Sequence, residues 1–141
     1  MSINPARIRR AGVTALLAVL AVGAVATSAS AATWSTSNRY LRSAVAGDET
    51  TTWYAVGTYT QYINQTQCQT RYSGRIAYDF KKSVTGFDEW VAWRDWSCDN
   101  APYTKSYTGQ GNGYYYARVA STPAGGVVDE LNLSINRVTS P

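Results

Sequence analysis

Two cysteines in a 141-residue chain without histidine, Cys68 and Cys98, constrain the fold more than any other feature. Two thiolates with no imidazole beside them fall short of the four ligands of a structural zinc site, so no metal site is expected. What precedes them decides whether they are reduced. Arg7, Arg9 and Arg10 stand before an uncharged run of 16 residues, Ala11 to Ala26, and then TSASAA. That order is the charged, apolar and small-residue layout of a secretory signal. A membrane span needs about 20 apolar residues, so the run reads as a signal peptide over 1–31 and not as a stable membrane anchor. Ala29-Ser30-Ala31 places cleavage before Ala32, with a cut one residue later as the alternative. The surroundings of a twin-arginine signal are missing around Arg9-Arg10, so ordinary secretion to the extracellular space is expected. In an exported chain the two cysteines are expected to pair as a disulfide.

If the bond joins the two arms of one hairpin, it predicts the register. The midpoint of 68 and 98 falls in Lys81-Lys82-Ser83-Val84-Thr85-Gly86, a polar stretch suited to a loop. Paired residues then have numbers that sum to 166. From 68 to 80 the even positions Cys68, Tyr72, Ile76, Tyr78 and Phe80 read as the buried face. The same register brings Trp90 opposite Ile76 and Trp96 opposite Thr70 on that face, and Arg71 opposite Asp95 on the other. Arg94 and Asp88 fit the buried face badly, so an early end or a bulge is expected there. Trp90, Trp93 and Trp96 are also spaced by three, which suits one side of a short helix. The aromatic and β-branched content favours the strand.

The remaining segments alternate strand-like runs with turn chemistry. Thr51 to Asn64 reads as a strand, and Asn38 to Val45 as another, followed by the turn Ala46-Gly47-Asp48-Glu49. Tyr103 to Thr108 and Tyr114 to Ala120 flank Gly109 to Gly113, whose Asn112-Gly113 step predicts a hairpin. In the last strand Val127, Leu131, Leu133 and Ile135 form an apolar face that only Asp129 interrupts. Six or seven short antiparallel strands with one disulfide and no helix beyond residue 32 predict a small all-β sandwich, with a barrel as the alternative. A chain of this length makes one domain, over 32–141.

From about Thr52 onward the layout resembles a loose group of small, mostly uncharacterised secreted proteins of actinobacteria. The likeness rests on the alanine-rich signal peptide, on Gly74-Arg75-Ile76-Ala77-Tyr78-Asp79 leading into a turn, and on Gly113-Tyr114-Tyr115-Tyr116-Ala117-Arg118-Val119. The resemblance implies export and a β-sandwich, and it supplies no catalytic residues.

Charge narrows the partners. Three of the 13 basic residues lie in the signal peptide and all nine acidic ones beyond it, leaving ten against nine, a net of +1. Nothing in that balance calls for nucleic acid or an anionic membrane. A nucleophilic triad needs a base, commonly histidine, so none is expected. Asp88, Glu89, Asp95, Asp129 and Glu130 are the carboxylates available to a glycosidase-type pair, although acids at strand ends are usually solvated. No cofactor motif is present, because Gly109 to Gly113 precedes no helix.

Aromatics carry the functional expectation. All five Trp, eleven Tyr and two Phe lie beyond the signal peptide, more rings than one small core needs, so some should reach the surface. The outer face of the hairpin, with Trp93 opposite Ser73 and beside Arg71 and Arg75, is the first candidate binding surface. Tyr114, Tyr115 and Tyr116 are the second, since alternation turns at least one ring outward. Two functions are compatible with these features. The first is a non-catalytic extracellular binder of polysaccharide or cell wall, which needs an aromatic strip on a sheet. The second is a protein-directed inhibitor or antagonistic factor, which needs a stiff protruding loop around Lys81 to Gly86. Oligomeric state is left open by the sequence.

Overall fold

The computed structural model describes residues 31–124 and 126–140. The expected signal peptide, apart from Ala31, lies outside the described residues. Among the described residues eight strands form: β1 Thr33–Ala44, β2 Trp53–Ala55, β3 Thr60–Gln69, β4 Arg75–Ser83, β5 Glu89–Ser97, β6 Tyr103–Thr108, β7 Gly113–Ser121 and β8 Val128–Ser140. They make two antiparallel sheets of four, ordered β1-β8-β3-β6 and β2-β7-β4-β5. The all-β sandwich is as expected, with one or two strands more than the sequence indicated. β5 is a strand, so the helical reading of Trp90, Trp93 and Trp96 fails.

The disulfide between Cys68 and Cys98 is formed and both cysteines are buried. A buried bond of this kind belongs to an oxidising environment. It does not join a hairpin. Cys68 lies in β3 of the first sheet, and Cys98 follows β5 of the second, so the bond spans the sandwich. The run 68–80, expected as one strand, breaks after Gln69 and crosses between sheets before β4 begins at Arg75. Gly74 sits at this crossing, where an added Cβ would stand 2.7 Å from Pro123 Cβ.

The real β4–β5 register sums to 172 from Arg75↔Ser97 to Phe80↔Ala92 and to 171 at Lys81↔Trp90 and Lys82↔Glu89. The sum of 166 was wrong because it assumed a bond along one hairpin. Lys81, Lys82 and Ser83 are strand residues paired with both β5 and β7 or with β7 alone, and the loop is Val84 to Asp88. Two further expectations change for the same reason. Thr51 to Asn64 splits at Gly57, whose φ of +64° turns the chain from β2 in one sheet to β3 in the other. β6 has the expected extent and β7 is one residue longer at each end, but they form no hairpin: β6 pairs with β3, and β7 with β2 and β4.

Burial follows strand alternation where both neighbours are present. Ile76, Tyr78 and Phe80 of β4, Tyr115, Ala117 and Val119 of β7, and Leu131, Leu133 and Ile135 of β8 fill the interior with Trp53, Ile63 and Trp96. Val128 takes the buried place that Val127 was expected to hold, and Val127 is exposed. Phe80 lies between Tyr78 and Tyr107, with ring centroids 6.1 and 5.7 Å away.

β3 contributes two glutamines to this core. Gln61 Oε1 accepts from Trp53 Nε1 at 2.9 Å and from the Tyr107 hydroxyl at 3.1 Å. Gln65 Oε1 accepts from the Tyr78 hydroxyl at 2.7 Å, and its Nε2 donates to the Ser97 carbonyl at 2.8 Å. A β-bulge between Gln65 and Gln67 then lets Gln65 and Cys68, three apart, both point inward.

Arginines close the two open edges. Arg39 donates to the Thr51 and Thr52 carbonyls at 3.1 and 2.9 Å, and Arg137 to the Tyr54 carbonyl at 3.1 Å. At the opposite edge Arg94 of β5 donates to the Ser106 carbonyl of β6 at 2.9 Å. This is how Arg94, a poor fit to a buried face, is accommodated: its strand is at the rim. Burial lowers the Arg39 and Arg137 pKa values, and Arg137 is lowered further by the Arg39 charge.

Replacing both cysteines by alanine is expected to cost about 3–4 kcal/mol of unfolding free energy, read from urea denaturation, because a 30-residue separation is no longer cross-linked. Gln65→Leu is expected to cost about 2–3 kcal/mol in the same assay, since it strands the Tyr78 hydroxyl and the Ser97 carbonyl without partners. A wild-type midpoint for either variant would refute its assigned role.

Candidate functional site

The outer face of the second sheet gathers four of the ten exposed aromatic residues among the described residues, Tyr54, Trp90, Trp93 and Tyr114. Cross-strand partners share a face, so the register gives its rows directly. One row holds Trp93, Asp79 and Arg118; the next holds Trp90, Lys81 and Tyr116; the third holds Ser83, Tyr114 and Tyr54. Trp93 is 48% exposed, Trp90 58% and Tyr114 56%. The Tyr54 and Tyr114 rings meet edge to face with centroids 5.3 Å apart. Trp90 Nε1 approaches Asp79 Oδ1 at 3.4 Å, the long end of a hydrogen bond.

Trp90 reaches this face through a bulge. Between Phe80↔Ala92 and Lys81↔Trp90 one residue of β5, Val91, has no partner, which reverses alternation. Without it Trp90 would point inward, where the sequence reading placed it. The misfit of Asp88 and Arg94 was the only hint of that irregularity. Tyr54 was missed because β2 has three residues, too few for a pattern.

The sequence candidates separate. Trp93 is exposed but faces Asp79 and not Ser73. Arg75 lies on the same face two rows further along, with its Nε 2.8 Å from Asp95 Oδ2. The Asp95 partner is therefore Arg75, not Arg71. Arg71 stands apart, with Tyr72, Val127 and Asp129 around a cavity of about 340 Å³ near the disulfide. Of the three consecutive tyrosines, Tyr114 is exposed and Tyr115 is core, its hydroxyl donating to the Gly111 carbonyl at 2.6 Å. Tyr116 belongs to the outer face by parity yet is buried, with its hydroxyl on Asp88 Oδ2.

The carboxylates are mostly engaged. Asp88 holds Tyr116, Asp95 holds Arg75, and Glu130 accepts from Gln67 Nε2 at 2.6 Å. Asp129 and Glu130 belong to the first sheet, and Asp88, Glu89 and Asp95 to the β4–β5 hairpin of the second. Among the described residues no group of three or more His, Cys, Asp or Glu is placed to hold a metal ion.

Four tyrosines titrate unusually. Burial raises Tyr78, and burial also leads the rise of Tyr107, where the Tyr115 charge adds. Tyr115 is raised by burial and by Glu89. Tyr116 is raised by burial first, then by its bond to Asp88 and by the charges of Glu49 and Asp88. A raised tyrosine pKa means that the fold favours the neutral phenol. The stability it contributes is complete below the ordinary value of 10.0 and is lost as pH climbs through the folded-state value. Ultraviolet titration of tyrosinate, paired with circular dichroism, is expected to show these four rings ionising last and together with unfolding. Full ionisation of all eleven tyrosines in the folded protein near pH 10 would contradict this.

No protein-family model matches the chain, and no curated protein matches its sequence.

Proposed function

We propose that this is a secreted, non-catalytic domain that binds a polysaccharide or cell-wall surface through the outer face of its second sheet. The observation that carries this reading is the pair Trp90 and Trp93, both about half exposed on one strand, with Tyr114 and Tyr54 across the same face. Flat rings on a rigid sheet stack on sugar faces with little loss of side-chain entropy, and the indole N–H adds a hydrogen bond. The intervening Asp79, Lys81 and Arg118 offer polar partners for hydroxyl or amide groups. Export is supported by the residue order in 1–31 and by the buried disulfide. The loop that the protein-directed alternative needs is shorter than expected, Val84 to Asp88 with Phe87 69% exposed in it, since Lys81 to Ser83 lie within β4.

Insoluble chitin, cellulose and peptidoglycan provide the test. The protein is expected to sediment with at least one of them, and Trp90→Ala combined with Trp93→Ala to weaken that retention about tenfold or more at an unchanged melting temperature. Retention on none of the three, or undiminished retention of the double variant, would reject the reading.

A further inference from the structure

The opposite side of the sandwich has a different chemistry. On the outer face of the first sheet the register sets Thr36, Asn136, Tyr62 and Ser106 in one row. The next row is Asn38, Ser134, Asn64 and Thr104, and the third is Tyr40, Asn132 and Gln67. No charged side chain stands in these three rows. On the second sheet, by contrast, Asp79, Lys81, Arg118, Arg75 and Asp95 all share the outer face.

Aromatic rings stand at both ends of this neutral belt. Trp34, 47% exposed, lies 6.0 Å from the Tyr62 ring, and Tyr40, 65% exposed, stands six residues along β1. Six residues of strand span roughly 20 Å, the length of an oligosaccharide of several rings. Beside Tyr40 the face opens into a cavity of about 330 Å³, bounded by Arg42, Gln67 and Glu130.

The central strand carries amides where stability alone would not place them. Asn132 is buried, its Nδ2 donates to Thr66 Oγ1 at 2.8 Å, and its Oδ1 has no donor. Asn136 Oδ1 likewise has none. Each unpartnered buried acceptor destabilises the free protein.

We infer that this face is a second binding site, for a neutral polysaccharide chain lying along the strands between the Trp34–Tyr62 pair and the Tyr40 cavity. The three rows between the rings carry no charge, which suits an uncharged ligand over that length, with Arg42 and Glu130 bordering only the cavity at the Tyr40 end, and amide and hydroxyl groups match sugar hydroxyls as both donors and acceptors. A protein partner would meet an apolar centre, and here the centre is Asn38, Ser134, Asn64 and Thr104. The inference does not rest on the Trp90–Trp93 surface. If both sites bind, two faces pointing in opposite directions let one domain bridge two chains.

Titration calorimetry of the purified protein with neutral oligosaccharides of glucose and of N-acetylglucosamine tests the site, with an oligogalacturonate as the anionic control. The wild type is expected to bind at least one neutral oligosaccharide and to prefer it to the control. Trp34→Ala with Tyr40→Ala, and separately Asn38→Arg at the exposed centre, are expected to weaken that binding about tenfold or more. Phe87→Ala, in the loop between β4 and β5 and outside both faces, is expected to leave it unchanged. Wild-type binding by the first two variants, loss only in the Trp90/Trp93 variant, or no binding of neutral oligosaccharides by the wild type would each overturn the inference. Retention on insoluble polymers lost in the Trp34/Tyr40 variant and kept in the Trp90/Trp93 variant would support this site and reject the other.

Discussion

Two buried glutamines on β3 hold the sheets in one relative position. Gln61 ties β3 to Trp53 of β2 and Tyr107 of β6, and Gln65 ties it to Tyr78 of β4 and Ser97 of β5. Apolar contacts are tolerant of small slips, whereas a buried amide that loses its partner costs about 1–3 kcal/mol. The glutamines therefore select one stacking of the two sheets, and the disulfide clamps the same arrangement next to Gln65. Gln61 Nε2 is the exception, a buried donor without a partner.

With the sheets fixed, the edges need a different solution. β1 presents Ser35, Ser37 and Arg39 inward, opposite Arg137, Ile135 and Leu133 of β8. There is little apolar surface to bury at this rim, and the guanidinium groups of Arg39 and Arg137 fill it by donating to carbonyls of 51–54. Long side chains with several donors suit this task because they satisfy backbone acceptors that no neighbouring strand reaches. Arg94 does the same at the β5–β6 rim. Both outer faces are thus largely free of core duties, and seven of the ten exposed aromatic residues among the described residues sit there, while Tyr59, Tyr72 and Phe87 lie in loops.

Much of the fold was legible locally. Strand extents for β6, β7 and β8 came close, because tyrosine and β-branched runs with glycine between them leave little choice. The misfit of Asp88 and Arg94 pointed to an early end or a bulge in β5, which the bulge at Val91 bears out, but its position and the bulge beside Thr66 were not legible. One extra residue at Val91 turns Trp90 outward, and another beside Thr66 turns Cys68 inward; in both cases alternation read straight through gives the wrong face. The aromatic face was half visible as a result: Trp93 and Tyr114 were expected to be exposed and are, Trp90 and Tyr54 were not expected there, and Arg71 lies elsewhere, beside the disulfide.

The cysteine pair shows where the boundary lies. By itself the sequence determined that Cys68 and Cys98 would be joined, that the chain would be all-β, and that there were more rings than one core could hold. Composition and context set these properties, and they need no knowledge of which strand neighbours which. Only the tertiary structure decided that the bond crosses the sandwich. A strand between two glycines pairs equally well within its own hairpin or across to another sheet, and what chooses is the summed satisfaction of distant groups. Tyr78 meeting Gln65, Trp53 meeting Gln61 and Arg94 meeting Ser106 are contacts between residues 8 to 13 apart in sequence that lie in different sheets.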